Sequence, residues 1–377
     1  MGDEEKSLMD LPSPILLQIL STLPPTTLLH VKTLSKSYLN LTLDSEFLKL
    51  SRSASPASII INQFNSFWIN SLKLLRFVCV DNNCDHDPHV DLHLRLSFPI
   101  DPLFLVGSVH GFVCFNSFVG DADSIYILNP TTRQYIILPK PQGVRNWPNL
   151  AAYGFGFDPV RLQYKVVRIY RQEIHDDFHN YKSEAQVYTI GKGYWRSIDH
   201  VMFHFRCSGY GVNLYGKLHW LVYDANGNEL ICSFNLENEL FESFPTAPGY
   251  NKNNFLNLRS LGVFGRCLCV CDNNADTHFE VWVMKLYRVT DSWVKQIVIT
   301  ITPEYNDWLC DEMINLVKVF DDGEVLFLWR EDFLFLHHPV KKTLKRLHVC
   351  DGNFLASAHV SSSFSLKGFQ GEVVKVF

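Results

Sequence analysis

The sequence of 377 residues lacks a long hydrophobic run, an excess of basic charge and a basic leader. Without about 18 consecutive apolar residues, it predicts no membrane span. A formal net charge of −5 argues against a nucleic-acid surface, which needs a basic excess. The acidic start MGDEEK is unlike a secretory signal, whose first residues are basic. We therefore expect a protein of the cytoplasm and/or the nucleus, with neither membrane nor nucleic acid as a partner.

Cysteine and histidine patterns for metal binding are also scarce. The segment 84–93 (CDHDPHVDLH) holds three histidines, but Pro88 interrupts any helix and no C-x-x-C pair accompanies them. We interpret it as a solvated loop. Three further cysteines alternate in sequence, which places them on one face of a strand and favours a core role: Cys267, Cys269 and Cys271. The sequence thus predicts no metal site.

Signatures of enzymes and cofactor sites are missing as well. Gly154 and Gly156 are followed by Phe-Asp-Pro and not by a helix start, so they do not predict a dinucleotide loop. We assign these glycines to a turn and to close packing of strands. No G-x-S-x-G nucleophile elbow occurs. The sequence therefore predicts no catalytic residue and no cofactor.

What the chain does have is an N-terminal stretch, 10–50, with leucine and isoleucine at helical spacing. Ser13 is a good helix cap and Pro14 suits the first turn, while Pro24-Pro25 ends this first helix. The pattern predicts two further helices and a last turn. Such a unit of about 40 residues rarely buries enough surface to be stable alone. Its apolar face must pack either on the rest of the chain or on a partner.

The order of residues in this stretch resembles the F-box of plant F-box proteins. The matching elements are Leu11-Pro12, Ile15, Ile19-Leu20, Leu23-Pro24, Leu28-Leu29 and Asp44-Ser45-Glu46-Phe47. Two departures are Ser35-Lys36-Ser37-Tyr38, where Cys-Lys-Ser-Trp is usual, and His30 at a usually basic position. The resemblance implies docking onto a Skp-family adaptor and, through it, onto cullin and RING subunits. The implied adaptor-binding residues are Leu11, Pro12, Ile15, Leu16, Ile19, Leu20, Leu23, Pro24, Leu28 and Tyr38.

From residue 74 onward, short β-like runs replace the helical pattern, and a unit of about four strands recurs. Each unit pairs a glycine-containing hairpin with a strand–turn–strand segment, at roughly 105–139, 153–199, 211–245, 260–299 and 319–349. A period of about 45–50 residues is typical of β-propeller blades. The tail 354–377 reads as two strands, which we expect to complete a sixth blade with 74–98. The sequence predicts a mainly β fold of five or six blades behind a helical N-terminus.

Several motifs in these units resemble the plant F-box-associated, kelch-related domain. They are Asn129-Pro130-Thr131-Thr132-Arg133, Tyr153–Pro159 with Tyr164–Val167, Gly216–Trp220 and Glu280–Met284. The two resemblances together span most of the chain. They give an F-box at 8–50, a transition at 51–73 and a recognition domain at 74–377.

The tryptophans separate into two groups. Those at repeat-equivalent strand positions predict core residues: Trp195, Trp220, Trp282, Trp293 and Trp329. Trp147 and Trp308 lie in long inter-strand segments, as does Tyr250, and long loops on a rigid ring are where recognition residues concentrate. These three are our candidate substrate contacts. The longest polar loops are expected at about 81–90, 118–124, 142–150, 171–183, 247–257 and 302–314.

The resemblances imply a non-catalytic substrate-recognition subunit of a Skp–cullin–F-box ubiquitin ligase, which binds a target protein for ubiquitination and proteasomal degradation. A different class stays open at this point: a β-propeller enzyme or carbohydrate-binding protein whose N-terminal helices merely cap the ring. That alternative predicts convergent acids, histidines or a metal at the ring centre. It also predicts an N-terminal apolar face buried against the ring.

Overall fold

The computed structural model describes most of the chain. The described residues are 11–23, 25–43, 46–47, 50, 57–64, 74–79, 89–95, 103–119, 122–141, 151–173, 181–205, 210–252, 258–275, 278–300, 313–330, 332–349 and 352–376. Three short helices come first: α1 (Ser13–Thr22), α2 (Pro25–Leu34) and α3 (Lys36–Leu43). No helix in these ranges is long and apolar enough to cross a membrane. The predicted helices are confirmed, although α1 starts at Ser13 itself and Pro12 takes the cap position.

Strands make up nearly all the regular structure that follows. They are β1 (Ala57–Phe64), β2 (Leu74–Cys79), β3 (His89–Arg95), β4 (Leu103–Val109), β5 (Phe112–Val119), β6 (Ala122–Asn129), β7 (Gln134–Ile137), β8 (Ala151–Asp158), β9 (Gln163–Glu173), β10 (Tyr181–Thr189), β11 (Trp195–Val201), β12 (His204–Phe205), β13 (Tyr210–Leu214), β14 (Lys217–Tyr223), β15 (Glu229–Asn235), β16 (Phe241–Pro245), β17 (Arg259–Phe264), β18 (Cys267–Ala275), β19 (His278–Met284), β20 (Trp293–Thr300), β21 (Ile314–Val319), β22 (Val325–Trp329), β23 (Phe333–His338), β24 (Thr343–Leu347), β25 (Asn353–Val360) and β26 (Lys375–Val376).

These strands form six antiparallel blades arranged as a closed ring. The blades are β25-β1-β2-β3, β4 to β7, β8 to β11, β13 to β16, β17 to β20 and β21 to β24. The inner strands contact one another in sequence around the ring, and β21 contacts β25 to close it. Among the described strands, this arrangement leaves open edges only at the outer strands of the blades, which limits edge-to-edge association. The predicted β-propeller architecture is confirmed, with six blades among the described residues.

The first blade joins distant parts of the chain. Its inner strand is β25, which pairs antiparallel with β1 along eight residue pairs from Ala57↔Val360 to Phe64↔Asn353. Strand β1 lies inside the range 51–73 expected as a transition, so the blade begins earlier than the sequence indicated. The tail contributes only β25 to this blade, because β26 pairs with β7 at the outer edge of the second blade.

Blades three and four are joined by backbone pairing as well as by side-chain packing. Their inner strands β8 and β13 make a short parallel pairing, Tyr210↔Tyr153 and Gly211↔Gly154. The indole of Trp220 covers both glycines, and its Nε1 donates to the Tyr153 carbonyl at 3.1 Å. A Cβ on Gly154 would lie 2.7 Å from this ring, and one on Gly211 would lie 2.6 Å from it. The expected close-packing role of Gly154 is confirmed, but it lies within a strand and not in a turn.

The ring core is built from alternating apolar side chains of adjacent blades. Three of the predicted core tryptophans are buried, namely Trp220, Trp293 and Trp329, whereas Trp195 and Trp282 are half-buried. Cys269 and Cys271 are buried among apolar neighbours and Cys267 packs beside them, as predicted for a blade interior. The helices have a separate small core around Leu16, Leu20 and Phe47. The molecule therefore consists of a helical head, residues 11–50, and a six-bladed ring.

Candidate binding surfaces

Helix α1 is apolar on two sides, and only one of them is buried. Leu16, Leu17 and Leu20 point into the head core with Leu28 and Phe47. The other side carries Ile15 and Ile19, whose i, i+4 spacing aligns them along the helix, and Leu11 lies just before the Pro12 cap. Leu11, Ile15 and Ile19 have 37%, 47% and 38% of their surface exposed. The ring does not cover this exposed row, which leaves an apolar strip open to a partner.

The ten implied adaptor-binding residues therefore fall into groups. Leu11, Pro12, Ile15 and Ile19 are exposed. Leu23 and Tyr38 pack at the margin of the head core. Three others are almost fully buried and support the strip from beneath: Leu16, Leu20 and Leu28. Pro24 lies outside the described residues. Exposed leucines that the sequence reading did not single out are Leu34 and Leu50, at 70% and 39%.

A polar contact ties the head to the ring. The Lys32 ammonium donates to the Ser363 carbonyl at 2.8 Å. Burial lowers the Lys32 pKa from its usual value. Ser363 belongs to residues 361–374, which run from β25 across the second blade and which we call the C-terminal strap. Asn129 holds the strap by donating to the carbonyls of Ser362 and Phe364 at 2.9 and 2.6 Å.

The two faces of the ring differ in their connections. On one face, here called the hairpin face, short turns join first to second and third to fourth strands of the blades, as at 159–162, 215–216 and 236–240. On the opposite, loop face lie second-to-third connections and crossings between blades. The strands that flank five of the six predicted loops end on the loop face, and those that flank 81–90 end on the hairpin face. Most residues of these loops lie outside the described residues, and of 118–124 all but 120–121 belong to strands β5 and β6. The head joins the hairpin face, since Lys32 binds the strap there.

The loop face holds the one candidate substrate residue that the structure describes. Tyr250 is half-buried; its hydroxyl donates to the Gly227 carbonyl at 3.0 Å and its ring packs on Tyr223. Beneath it, the buried Arg259 pairs with Glu229 at 2.7 Å and with Asp272 at 3.1 Å. Arg259 also donates to the carbonyls of Ala247 and Pro248. This buried guanidinium anchors the segment that presents Tyr250. Trp147 and Trp308 lie outside the described residues.

The hairpin face carries exposed apolar side chains that sequence reasoning missed, because short hairpins were interpreted as structural only. Leu162 and Tyr215 occupy left-handed positions, with φ of 54° and 52°, where glycine or asparagine is usual. Both are more than half exposed, at 68% and 60%. No local sequence signal marks such positions, since the residues themselves disfavour the conformation. Other exposed residues here are Val160, Tyr194, Leu240, Leu286, Val289 and Val340.

A buried ionic cluster joins blades three and four on this face. The Lys165 ammonium lies 3.6 Å from Asp158 and 2.9 Å from Glu239, and it also donates to the Leu236 carbonyl. Burial would raise the Asp158 pKa, but backbone N–H groups of Arg161 and Val160 and the charge of Lys165 hold it below its usual value. Burial opposes ionisation of Glu239 too, yet Arg196 and Lys165 lower its pKa. Both carboxylates are thus held ionised.

A central channel of about 690 Å³ runs between the inner strands. Its described lining is largely apolar, with scattered Ser and Asn side chains and the cationic residues Arg259 and Lys318, and this described lining contains no aspartate, glutamate or histidine. Within the described ranges no group of three or more His, Cys, Asp or Glu is placed to hold a metal ion. His86 is outside those ranges. The part of the channel that is described offers no acid pair for hydrolysis.

Comparison with known protein families gives two matches that together cover most of the chain. The F-box domain matches residues 8–50, and the F-box associated beta propeller domain matches residues 67–364. The first match contains the head, and the second contains most of the ring.

Curated relatives agree with these matches. F-box protein CPR1 of Arabidopsis thaliana is 27% identical over 390 residues, covering 96% of this chain and 90% of that protein. An F-box/kelch-repeat protein of the same plant is 28% identical over 253 residues and covers 64% of each chain. Among solved structures, TolB from Acinetobacter baumannii aligns with a TM-score of 0.46 at 11% identity, covering 87% of this chain and 73% of that chain.

Proposed function

Because the chain belongs to the plant F-box proteins with an F-box associated β-propeller domain, we propose that it is the substrate-recognition subunit of a Skp–cullin–F-box ubiquitin ligase. F-box proteins are in general substrate adaptors. In this role the head binds a Skp-family adaptor, which links it to cullin and RING subunits. The ring binds a target protein, which is then ubiquitinated and degraded. We place this activity in the cytoplasm and/or the nucleus.

The observation that carries this proposal is the exposed strip of α1. Leu11, Ile15 and Ile19 form an apolar row that neither the head core nor the ring covers. An apolar row of this kind is costly in water and gains free energy when a partner buries it. A helical cap built only to protect the ring would turn this row inward. The exposed row therefore favours a partner over the alternative of a capped enzyme or carbohydrate-binding propeller.

We propose the loop face as the surface for the target protein. Most of the long connections predicted from sequence join strands that end on this face, and Tyr250 is presented there by the Arg259 cluster. The head lies at the opposite, hairpin face through Lys32 and Ser363. Adaptor and target would then approach from opposite sides and would not compete for space. In this arrangement the chain supplies proximity and orientation, and other subunits perform the transfer chemistry.

The test is a pull-down of the full chain by a purified Skp-family adaptor. We expect the double variant Ile15→Asp, Ile19→Asp to lose binding by about 100-fold or more, since it would bury two charges in an apolar interface. Both positions are exposed in the free chain, so the head and ring should stay folded. The matched control is Val340→Asp, which puts a carboxylate at an apolar side chain that is 84% exposed on the ring. Equal binding by the double variant and the native chain would refute the role of the strip.

A further inference from the structure

A cleft of about 360 Å³ opens on the hairpin face between blades three and four. Its walls come from three turns: 159–162, 190–194 and 236–240. The lining combines four cationic side chains with two carboxylates and several neutral polar groups. These are Arg161, Lys165, Lys192 and Arg196; Glu237 and Glu239; and Gln163, Thr189, Tyr194 and Asn238. With Asp158 counted beneath the floor, four positive charges meet three negative charges.

The floor of the cleft is internally matched. Lys165 is 3% exposed and bridges Asp158 and Glu239. Both carboxylate oxygens of Glu239 also accept from one nitrogen of Arg196, Nη2, at 2.7 and 2.6 Å. Glu239 sits in the left-handed region with φ of 60°. Its carboxylate nevertheless connects two blades, which explains why a glutamate occupies a position that favours glycine. This floor is rigid and fixes the groups above it.

The upper wall retains hydrogen-bond donors that the floor does not use. A guanidinium carries five N–H donors. Among the described residues, Nη1 is the only nitrogen of the Arg161 guanidinium that is engaged, by Asp158 and by the Glu237 carbonyl. Arg196 there uses only Nη2, and the Lys192 ammonium and the Tyr194 hydroxyl make no hydrogen bond within the described part of the chain. One carboxylate of the lining, that of Glu237, is likewise in no ion pair with the described residues. The free donors of Arg161, Lys192, Tyr194 and Arg196 outnumber this carboxylate, a composition suited to an anion with several oxygens.

The three turns that form the cleft also carry exposed apolar side chains, which we call the apolar rim. Val160 and Leu162 flank Arg161, Tyr194 stands beside Lys192, and Leu240 follows Glu239. They are 64%, 68%, 57% and 60% exposed, in that order. A small inorganic ion would not touch these side chains. A peptide that placed an anionic group in the cleft would cover them with its neighbouring residues.

We propose that this cleft binds a phosphorylated side chain on an extended segment of a partner protein. The phosphate accepts from Lys192, from the unused nitrogens of Arg161 and Arg196 and from Tyr194, and these charge-assisted bonds outweigh repulsion by the single free carboxylate, Glu237. Residues next to the phosphorylated one pack on the apolar rim. The site is on the hairpin face, apart from the loop face proposed for the target, and it does not depend on adaptor binding.

The experiment uses the immobilised full chain and three degenerate peptide libraries that differ only at a fixed central position: phosphoserine, serine or aspartate. We expect the phosphoserine library to bind best. Lys192→Glu should weaken that binding at least tenfold, because it replaces a charge-assisted donor by a repelling acceptor. Tyr194→Ala should weaken it less. The matched control is Lys341→Glu, an identical charge change at an exposed turn of the sixth blade on the same face.

Every outcome of this experiment either supports or overturns the proposal. Selective binding of phosphoserine that Lys192→Glu removes and Lys341→Glu keeps supports the cleft. Equal loss of peptide binding in both variants would show that the overall charge of the face, and not the cleft, attracts the peptides, and would overturn the proposal. Equal binding of all three libraries would also overturn it, because the phosphate would then make no difference. If inorganic phosphate displaces the peptides at the same concentration as an unlabelled phosphopeptide does, the cleft binds only the ion, and the peptide part of the proposal is refuted. If a single-stranded oligonucleotide displaces the peptides at a lower concentration than an unlabelled phosphopeptide does, the partner is a nucleic acid, and the proposal is also refuted. Adaptor pull-down by the same variants, expected to be unchanged, keeps this test separate from the proposed ligase role.

Discussion

The head and the ring solve the problem of a small hydrophobic core in opposite ways. The head buries a handful of leucines with Phe47 and leaves an apolar row of α1 exposed. In the ring, the apolar side chains of each blade pack against those of the next blade, and β25 closes the ring. The ring is thus self-sufficient, whereas the head leaves an apolar surface that a partner would bury in the proposed role. The difference teaches where each part is vulnerable: the ring at the joints between blades, and the head at its surface.

The largest expected effect breaks the ring and spares the head. Trp220→Ala removes the side chain that covers Gly154 and Gly211 and deletes the Nε1 bond to Tyr153. Loss of a buried tryptophan costs about 3–5 kcal/mol of unfolding free energy. Denaturant unfolding measures this loss, with exposed Tyr194→Ala as the control. A cost below about 1 kcal/mol would show that the joint between blades three and four does not limit ring stability.

The next largest expected effect is a loss of ring stability in acid. Burial lowers the pKa of His219 and of His359 to about 4, so both are neutral in the folded ring. Unfolded, they take up protons near the ordinary value of about 6.5. Their contribution is therefore present above about pH 6.5 and is lost as pH falls toward 4, by about 1.4 kcal/mol per pH unit for each histidine.

Urea unfolding of the ring at pH 7, 6 and 5 measures this slope. His219→Gln should flatten it, even though the variant loses the contacts of His219 with Tyr287 and Val212 and is less stable throughout. Depressed carboxyl pKa values, as at Asp158, add a loss of the same sign only at lower pH. An unchanged slope in His219→Gln would contradict the assignment to this buried imidazole.

The smallest effect concerns the tie between the two parts. Lys32→Met keeps much of the side-chain volume but removes the bond to the Ser363 carbonyl. Because Lys32 is only half-buried, we expect a change of about 1 kcal/mol or less in the docking of the head. Ring and head stabilities should be unaffected. Fluorescence resonance energy transfer between labels on α3 and on the strap measures the distance between the two parts, and we expect a broader distance distribution in Lys32→Met than in the native chain. A distribution as narrow as that of the native chain would show that other contacts orient the head.

The sequence predicted the helices and the blades well, because both follow from local periodicity. It did not show which side of α1 turns inward. Leucine and isoleucine occupy both sides of that helix, and only packing against Leu28 and Phe47 selects Leu16 and Leu20 for the core. Burial in a small bundle depends on the neighbouring helices, and a single helix pattern cannot carry that information.

The sequence also missed strand β1 and the hairpin cleft, for physical reasons that differ. The partner of β1 is β25, nearly the whole chain away, so no local hairpin signal marks it. The cleft assembles from three turns of two blades, each of which looks ordinary alone. Leu162 in a left-handed conformation even contradicts turn preference. For the head, the sequence thus predicted an apolar helix α1, but not which of its apolar residues stay exposed.

The pairing of β1 with β25 in the first blade has a consequence for synthesis on the ribosome. Strand β1 emerges soon after the head, but it must wait for residues 353–360 before its inner neighbour exists. Through most of translation the head is therefore outside the ribosome while the ring is still open. A nascent chain that stalls before β25 would display a folded docking strip without a closed ring. In the proposed role, such a truncated product would bind adaptor molecules without recruiting a target, so completion of the last strands would protect the supply of free adaptor.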